Sequence, residues 1–323
     1  MINYKNNGFK NKDCDIDITN KCTLKCSMCA RQKFDNPKLI PGGDISIEGF
    51  QKMLDYFDSV YLCGVYGDPI FNPNLHTFLK MCYDQNKFIQ IHTAASHRPM
   101  EWYEKAFEAN PNCVWVFGID GLPYQSFAYR ENQDGEYLFD VMLKARNMNI
   151  NVIWQYLVFK YNEDKIDYAK KLADNHGIKL EIHHTSRVNE FLAPTVKVVK
   201  EEVNEEKVFE PKCLKDPQQR TPYLAATGQM YPCCWVDKVE PDPEYASLQN
   251  PKLNIKYNTV EEIINSDTWQ TFYDNLYTDK CPSYCKEKCT TTLRNPTRIV
   301  EGRIDGKTME VEKRGYKTVE VEK

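Results

Sequence analysis

No stretch of the chain approaches the roughly 18 apolar residues that a membrane-spanning helix needs, and Met1 to Lys12 is polar, where a secretory signal carries an apolar core. Membrane-embedded and exported classes are disfavoured, and a cytoplasmic protein is expected. An excess of charge of either sign is also missing. The 42 Lys and Arg against 46 Asp and Glu leave a formal net charge of −4, so the overall field favours neither nucleic acid nor a membrane surface as partner. A small-molecule or peptide substrate fits better. What the chain does have is cysteine, 13 in 323 residues. An odd count without an export signal points to metal or cluster chemistry rather than a disulfide framework, and with it to sensitivity to oxygen.

The most informative group is Cys22, Cys26 and Cys29, in the run Asn-Lys-Cys-Thr-Leu-Lys-Cys-Ser-Met-Cys-Ala-Arg that follows an alternating, strand-like Asp13 to Thr19. Structural zinc takes four ligands, usually as two separated pairs, and the loop supplies a tight triplet with no fourth Cys or His beside it. Three thiolates can hold three irons of a cubane iron–sulfur cluster and leave the fourth without a protein ligand. An open iron of that kind can bind and reduce a small molecule.

From Asp13 to about His184 short strand-like runs alternate with amphipathic helical runs. The strand candidates are Asp13 to Thr19, Val60 to Gly64, Phe88 to Ala94, Cys113 to Ile119, Asn151 to Phe159 and Lys179 to His184. One helix starts at a Ser46 cap and places Ile47, Phe50, Met53, Leu54 and Phe57 on one face. Another runs from Asp164 through Ile166, Ala169, Leu172 and Ala173 and stops at Gly177. Six successive βα units imply a parallel α/β sheet with right-handed crossovers. Fully covered parallel strands are apolar on both faces, whereas here Asp15 and Asp17, Gln90 and His92, Gln155, and Glu181 and His183 alternate with apolar residues. One face therefore looks toward water or ligand, which favours a curved, incompletely closed (β/α)6 TIM-like barrel over a flat sheet. His92, Gln155, Glu181 and His183 become inward-facing substrate-contact candidates.

After about Ser186 the rhythm stops and a cysteine-rich region begins. Cys213 is followed by fourteen residues, Gly228, four more residues and Cys233. Tyr223 to Thr227 and Gln229 to Cys234 read as a β-hairpin around Gly228. A helix then starts at Thr259-Val260-Glu261-Glu262, with Ile263, Ile264, Trp269 and Phe272 as apolar positions, and leads to Cys281, Cys285 and Cys289. The expected division is 1–190 for the barrel, 191–300 for a small cysteine-rich domain of hairpin plus helix, and 301–323 for a charged end. There, Lys307 to Lys313 and Lys317 to Lys323 are near copies, readable as a terminal β-hairpin or a charged disordered tail.

The triplet and its place after the first strand resemble the radical SAM superfamily. That resemblance implies a 4Fe–4S cluster on Cys22, Cys26 and Cys29 whose free iron chelates S-adenosylmethionine, a partial barrel fold, reductive cleavage to a 5′-deoxyadenosyl radical, and an electron donor such as flavodoxin or ferredoxin. Tyr66-Gly67-Asp68-Pro69 occupies the place of the superfamily's Gly-Gly-Glu-Pro motif, which implies ammonium binding by Gly67, Asp68 and Pro69. Gly118-Ile119-Asp120-Gly121 resembles a Ser-Leu-Asp-Gly run whose serine, here Gly118, contacts the cofactor. Arg130 matches an arginine that pairs with the cofactor's carboxylate, Ser96 is placed for the ribose and Met28 for the adenine. The region after Ser186 resembles the SPASM/Twitch extension in its shorter, Twitch form, which implies an auxiliary 4Fe–4S cluster on Cys213, Cys233, Cys281 and Cys285, with Cys289 or Cys234 as substitutes. The implied activity is hydrogen abstraction from a peptide; oxidation or rearrangement of a carbohydrate, nucleoside or cofactor precursor is the alternative, and a zinc-stabilised binding module without catalysis is the reading from a different class.

Overall fold

A computed structural model of the chain describes residues 12–185, 189, 192–194, 207–209, 221–236, 243–292, 302–304, 307–311 and 318–320. Six parallel strands form its centre: β1 (Asp13–Ile16), β2 (Ser59–Leu62), β3 (Phe88–Thr93), β4 (Val114–Gly118), β5 (Asn151–Val158) and β6 (Lys179–His184). They lie side by side in chain order, the arrangement that successive right-handed βα units give. Between them run α1 (Ile47–Tyr56), α2 (Leu75–Asp84), α3 (Met100–Ala109), α4 (Gly135–Asn147) and α5 (Ile166–Asn175).

The period-two pattern separates the two faces of this sheet. Ile16, Leu62, Ile91, Trp115, Phe117 and Trp154 are all buried in the large core beneath the helices. On the concave face Val114, Val116 and Ile153 form a small apolar cluster of their own, and the polar alternate residues surround it. The central strand β4 is buried along its whole length, so its two faces cannot be told apart from sequence.

Local signals set the helix ends. The Ser46 side chain accepts from Gly49 N at 3.1 Å and caps α1. Phe50, Met53, Leu54 and Phe57 are buried as the spacing predicts, but Ile47 is 45% exposed because it lies at the edge of that stripe. The helix read from Thr259 onward is two helices, α6 (Val260–Ile264) and α7 (Asp267–Asn275). A capping box of Thr259 and Glu262 starts the first, and Ser266, accepting from Trp269 N, caps a second start that interrupts the run. Ile263, Ile264, Trp269 and Phe272 are nevertheless all buried.

The hairpin expected around Gly228 forms from Tyr223–Leu224 and Met230–Tyr231. Its first strand pairs in parallel with β1, Asp15 opposite Tyr223 and Ile16 opposite Leu224, so it extends the barrel's own sheet. Lys207–Phe209 pairs antiparallel with Thr290–Thr292, directly after the helix Ser283–Cys289. At the end of the chain Gly302–Ile304, Lys307–Val311 and Thr318–Glu320 make a three-stranded antiparallel sheet, in which the two near copies pair with each other. Among the described residues no helix is long and apolar enough to cross a membrane.

Candidate functional site

The concave face and the loops at the carboxyl ends of the strands enclose a cavity of about 490 Å³, the place where open α/β sheets bind ligands. Cys22, Cys26 and Cys29 all line it. Their loop is held by Arg31, whose guanidinium donates to the carbonyls of Asn20, Cys22 and Tyr66 and so ties it to the loop after β2. From below, Asp17 accepts from Val65 N at 2.9 Å and Tyr66 N at 3.3 Å. A Cβ on Gly67 would stand 1.8 Å from the Thr19 carbonyl oxygen. Only glycine lets these two loops approach so closely.

Asp68 lies in the same wall, but its carboxylate is committed. One oxygen accepts from Thr93 Oγ1 at 2.8 Å and Ile70 N at 3.2 Å; the other accepts from Ala94 N at 2.9 Å and Ala95 N at 3.0 Å. Burial pushes its pKa up, against the pull of these donors. The residue fastens the β2 loop to the end of β3. Pro69 is buried and opens the short turn that Asp68 caps. Ser96 is also buried and accepts from Asp134 N at 2.8 Å, and Met28 packs against the core; neither lines the cavity.

Arg130 is a buried cation, its side chain 13% exposed, with Nε 2.7 Å from Oδ2 of the fully buried Asp120. Burial would lower its pKa, and the Asp120 charge together with Cys26 and Tyr129 raises it instead. Its guanidinium borders the cavity, and its Nη atoms donate to no protein group among the described residues. A Cβ on Gly118 would meet Arg130 Nη2 at 2.8 Å and Cζ at 3.1 Å. The arginine thus fills the space beside Gly118 where the resembling serine would stand.

Around the triplet, burial pushes the Cys22 thiol up to about 12, with the Asp68 charge adding to it. Burial also raises Cys26, while Arg130 pulls it back. Deprotonating such thiols takes a cation bound to them.

Of the four inward candidates, His92, Gln155 and His183 line the cavity. Glu181 does not; it sits behind His183, 3.5 Å from its Nε2, and pairs with Lys179 at 2.6 Å. His92 Nε2 is 2.7 Å from Gln90 Nε2, and burial lowers its pKa against the pull of Glu181. Arg31, Cys63, His184 and Trp235 also line the cavity and were not picked out from sequence. Cys63 was findable, one residue past a strand in the inward register; Trp235 arrives from the distant hairpin and carries no local signal.

The neighbouring Cys234 thiol holds Cys233 below its ordinary value. Cys281 is buried, Cys285 and Cys289 are half-buried, and Cys213 lies outside the described residues. Among the described residues no three His, Cys, Asp or Glu side chains converge as a single metal ion requires.

Asp15, on the concave face, is pushed up to about 6, chiefly by burial and then by Asp13. A folded-state value above the unfolded one near 3.9 means that Asp15's own contribution to stability is most favourable below about pH 4 and falls as pH rises through about 6. Asp15→Asn should therefore stabilise the fold at pH 8 by on the order of 1–3 kcal/mol and by much less at pH 4. Urea unfolding at both pH values checks this, and an equal effect at both would refute it.

Comparison with models of protein families gives no match, and comparison with curated proteins gives none either. Solved structures do match. Streptococcus suis SuiB bound to precursor peptide SuiA aligns with a TM-score of 0.61 and 11% identity, over 93% of this chain and 73% of that one. Native anSMEcpe with bound AdoMet and Cp18Cys peptide aligns at 0.54 with 13% identity, over 88% and 90%. The chain shares the partial (β/α)6 barrel fold of these structures. The 4Fe–4S cluster and S-adenosylmethionine that the radical SAM resemblance implies fit the cavity's chemistry: three thiols on one loop, a close-packed glycine turn beside them, and the unpartnered Nη edge of Arg130 opposite.

Proposed function

We propose that the protein is a radical SAM enzyme that reductively cleaves S-adenosylmethionine and abstracts a hydrogen atom from a peptide. The observation that carries this reading is the convergence of Cys22, Cys26, Cys29, Gly67 and Arg130 on one cavity at the carboxyl ends of six parallel strands. When bound, a 4Fe–4S cluster supplies the electron that cleaves the sulfonium to methionine and a 5′-deoxyadenosyl radical. The chain's own residues do the rest. The triplet loop, stapled by Arg31, would hold the cluster; the backbone of the Gly67 turn, with Asp68 already committed elsewhere, would receive the ammonium group; and Arg130 would take the carboxylate through its fork.

His92, Gln155 and His183 face the remaining volume and position the substrate. A peptide is favoured over a small carbohydrate or nucleoside because the aligned SuiB and anSMEcpe structures hold peptides. A second, auxiliary 4Fe–4S cluster is proposed on Cys213, Cys233 and the Cys281 to Cys289 group. The pairing of Phe209 with Thr290 supports it, because it sets Phe209, four residues before Cys213 in sequence, beside the residue that follows Cys289. Such a cluster would accept the product radical's electron, and a flavodoxin or ferredoxin would supply the first one.

Anaerobic reconstitution tests the reading. About eight irons with matching sulfide per chain is the expectation for two cubanes, and dithionite plus S-adenosylmethionine should give 5′-deoxyadenosine. Zinc at one or two per chain, without iron and without that product, would overturn it.

A further inference from the structure

Gly118 sits at the end of β4 with its α-carbon toward the cavity, and the place a side chain would occupy is taken by the Arg130 guanidinium. The other walls of that place are fixed. Asp120 holds Nε at 2.7 Å and is itself fixed by Leu157 N, which donates to its Oδ1 at 2.9 Å. The Tyr129 ring lies 5.9 Å from the guanidinium carbon. Gln133 Nε2 donates to both the Ala94 and the Gly118 carbonyls, locking the two strand ends that flank the arginine.

A guanidinium carries five donors in a rigid fork. Here Nε is held in an ion pair by Asp120, and the Nη edge, which borders the cavity, has no protein partner among the described residues. A carboxylate matches that open edge bidentately. We propose that the missing side chain at Gly118 is a seat for Arg130, and that Gly118 and Asp120 together preset its fork so that the cavity selects ligands by their carboxylate. The inference rests on the reading of the cavity as an S-adenosylmethionine site and adds the residue that sets the carboxylate contact.

The seat makes a specific prediction. The atoms that an added Cβ would meet are the end of a flexible side chain, so Gly118→Ala or Gly118→Ser should turn the fork without disturbing β4. Affinity of the anaerobic, cluster-loaded protein is measured by calorimetry for S-adenosylmethionine and for its decarboxylated analogue, which keeps the sulfonium and the amine.

Gly118→Ala should weaken S-adenosylmethionine on the order of tenfold to a hundredfold and leave the analogue within about twofold. Asp120→Asn, which keeps the acceptor for Leu157 N but removes the charge on Nε, should give the same selective loss, and it carries the test should the Gly118 variants fail to fold. Equal weakening of both ligands, or of neither, would overturn the seat while leaving the cofactor reading intact. A wild-type protein that binds neither ligand would overturn both.

Discussion

Cys26→Ala is expected to bring 5′-deoxyadenosine formation down to the level of protein-free controls while leaving the chain folded. The thiol is buried in the cavity wall facing Arg130, and the loop's shape does not depend on it: the turn is set by Cys29 N donating to the Cys26 carbonyl at 3.0 Å and by the Arg31 staple. Alanine keeps both. What would be lost is one of the three proposed iron ligands, and with it the cubane geometry that leaves one iron open. Cys63→Ala is the matched control, since Cys63 lines the same cavity but stands outside the triplet; that variant should retain cleavage. Product formation by liquid chromatography and circular dichroism for the fold read the two outcomes. Wild-type product levels from Cys26→Ala, or loss in both variants alike, would count against the assignment of the triplet.

The second large effect falls on stability. Asp68→Ala should destabilise the protein by about 3–5 kcal/mol, the range for removing one partner of a buried charged network, because it strands Thr93 Oγ1 and three backbone donors at once. Asp68→Asn retains one acceptor and sets its amide against N–H groups, so about half that loss is expected. Denaturant unfolding of the apoprotein measures both. If Asp68 were instead a free acceptor for the cofactor's ammonium group, Asp68→Ala would lower S-adenosylmethionine affinity with unchanged unfolding, and the fastening role would be wrong.

The contrast between Asp68 and Arg130 shows what could be read from the chain and what could not. Residue type and order were enough for the cysteine loop, for β6 to the residue, and for the inward register that puts His92, Gln155 and His183 in the cavity, because alternation along a strand is a local property. Which partner a carboxylate or a hydroxyl finds is not local. Asp68 and Ser96 look like ligand contacts in sequence, yet they meet backbone N–H groups from the residues after β3 and from the cap before α4. Glu181 has the right parity, but Lys179 and His183 hold it behind the lining. The parallel pairing of Tyr223–Leu224 with β1 joins segments some 200 residues apart and leaves no periodic trace. Gly118 stands where the resembling run has a serine; the structure makes it the space in which Arg130 sits.

Electron paramagnetic resonance of the anaerobically reconstituted, dithionite-reduced protein, recorded with and without S-adenosylmethionine, tests the central claim most directly. A reduced cubane signal that changes when S-adenosylmethionine is added is expected, with loss of that responsive signal in Cys26→Ala. A cluster signal indifferent to S-adenosylmethionine, or protein that takes up zinc and no iron, would contradict it.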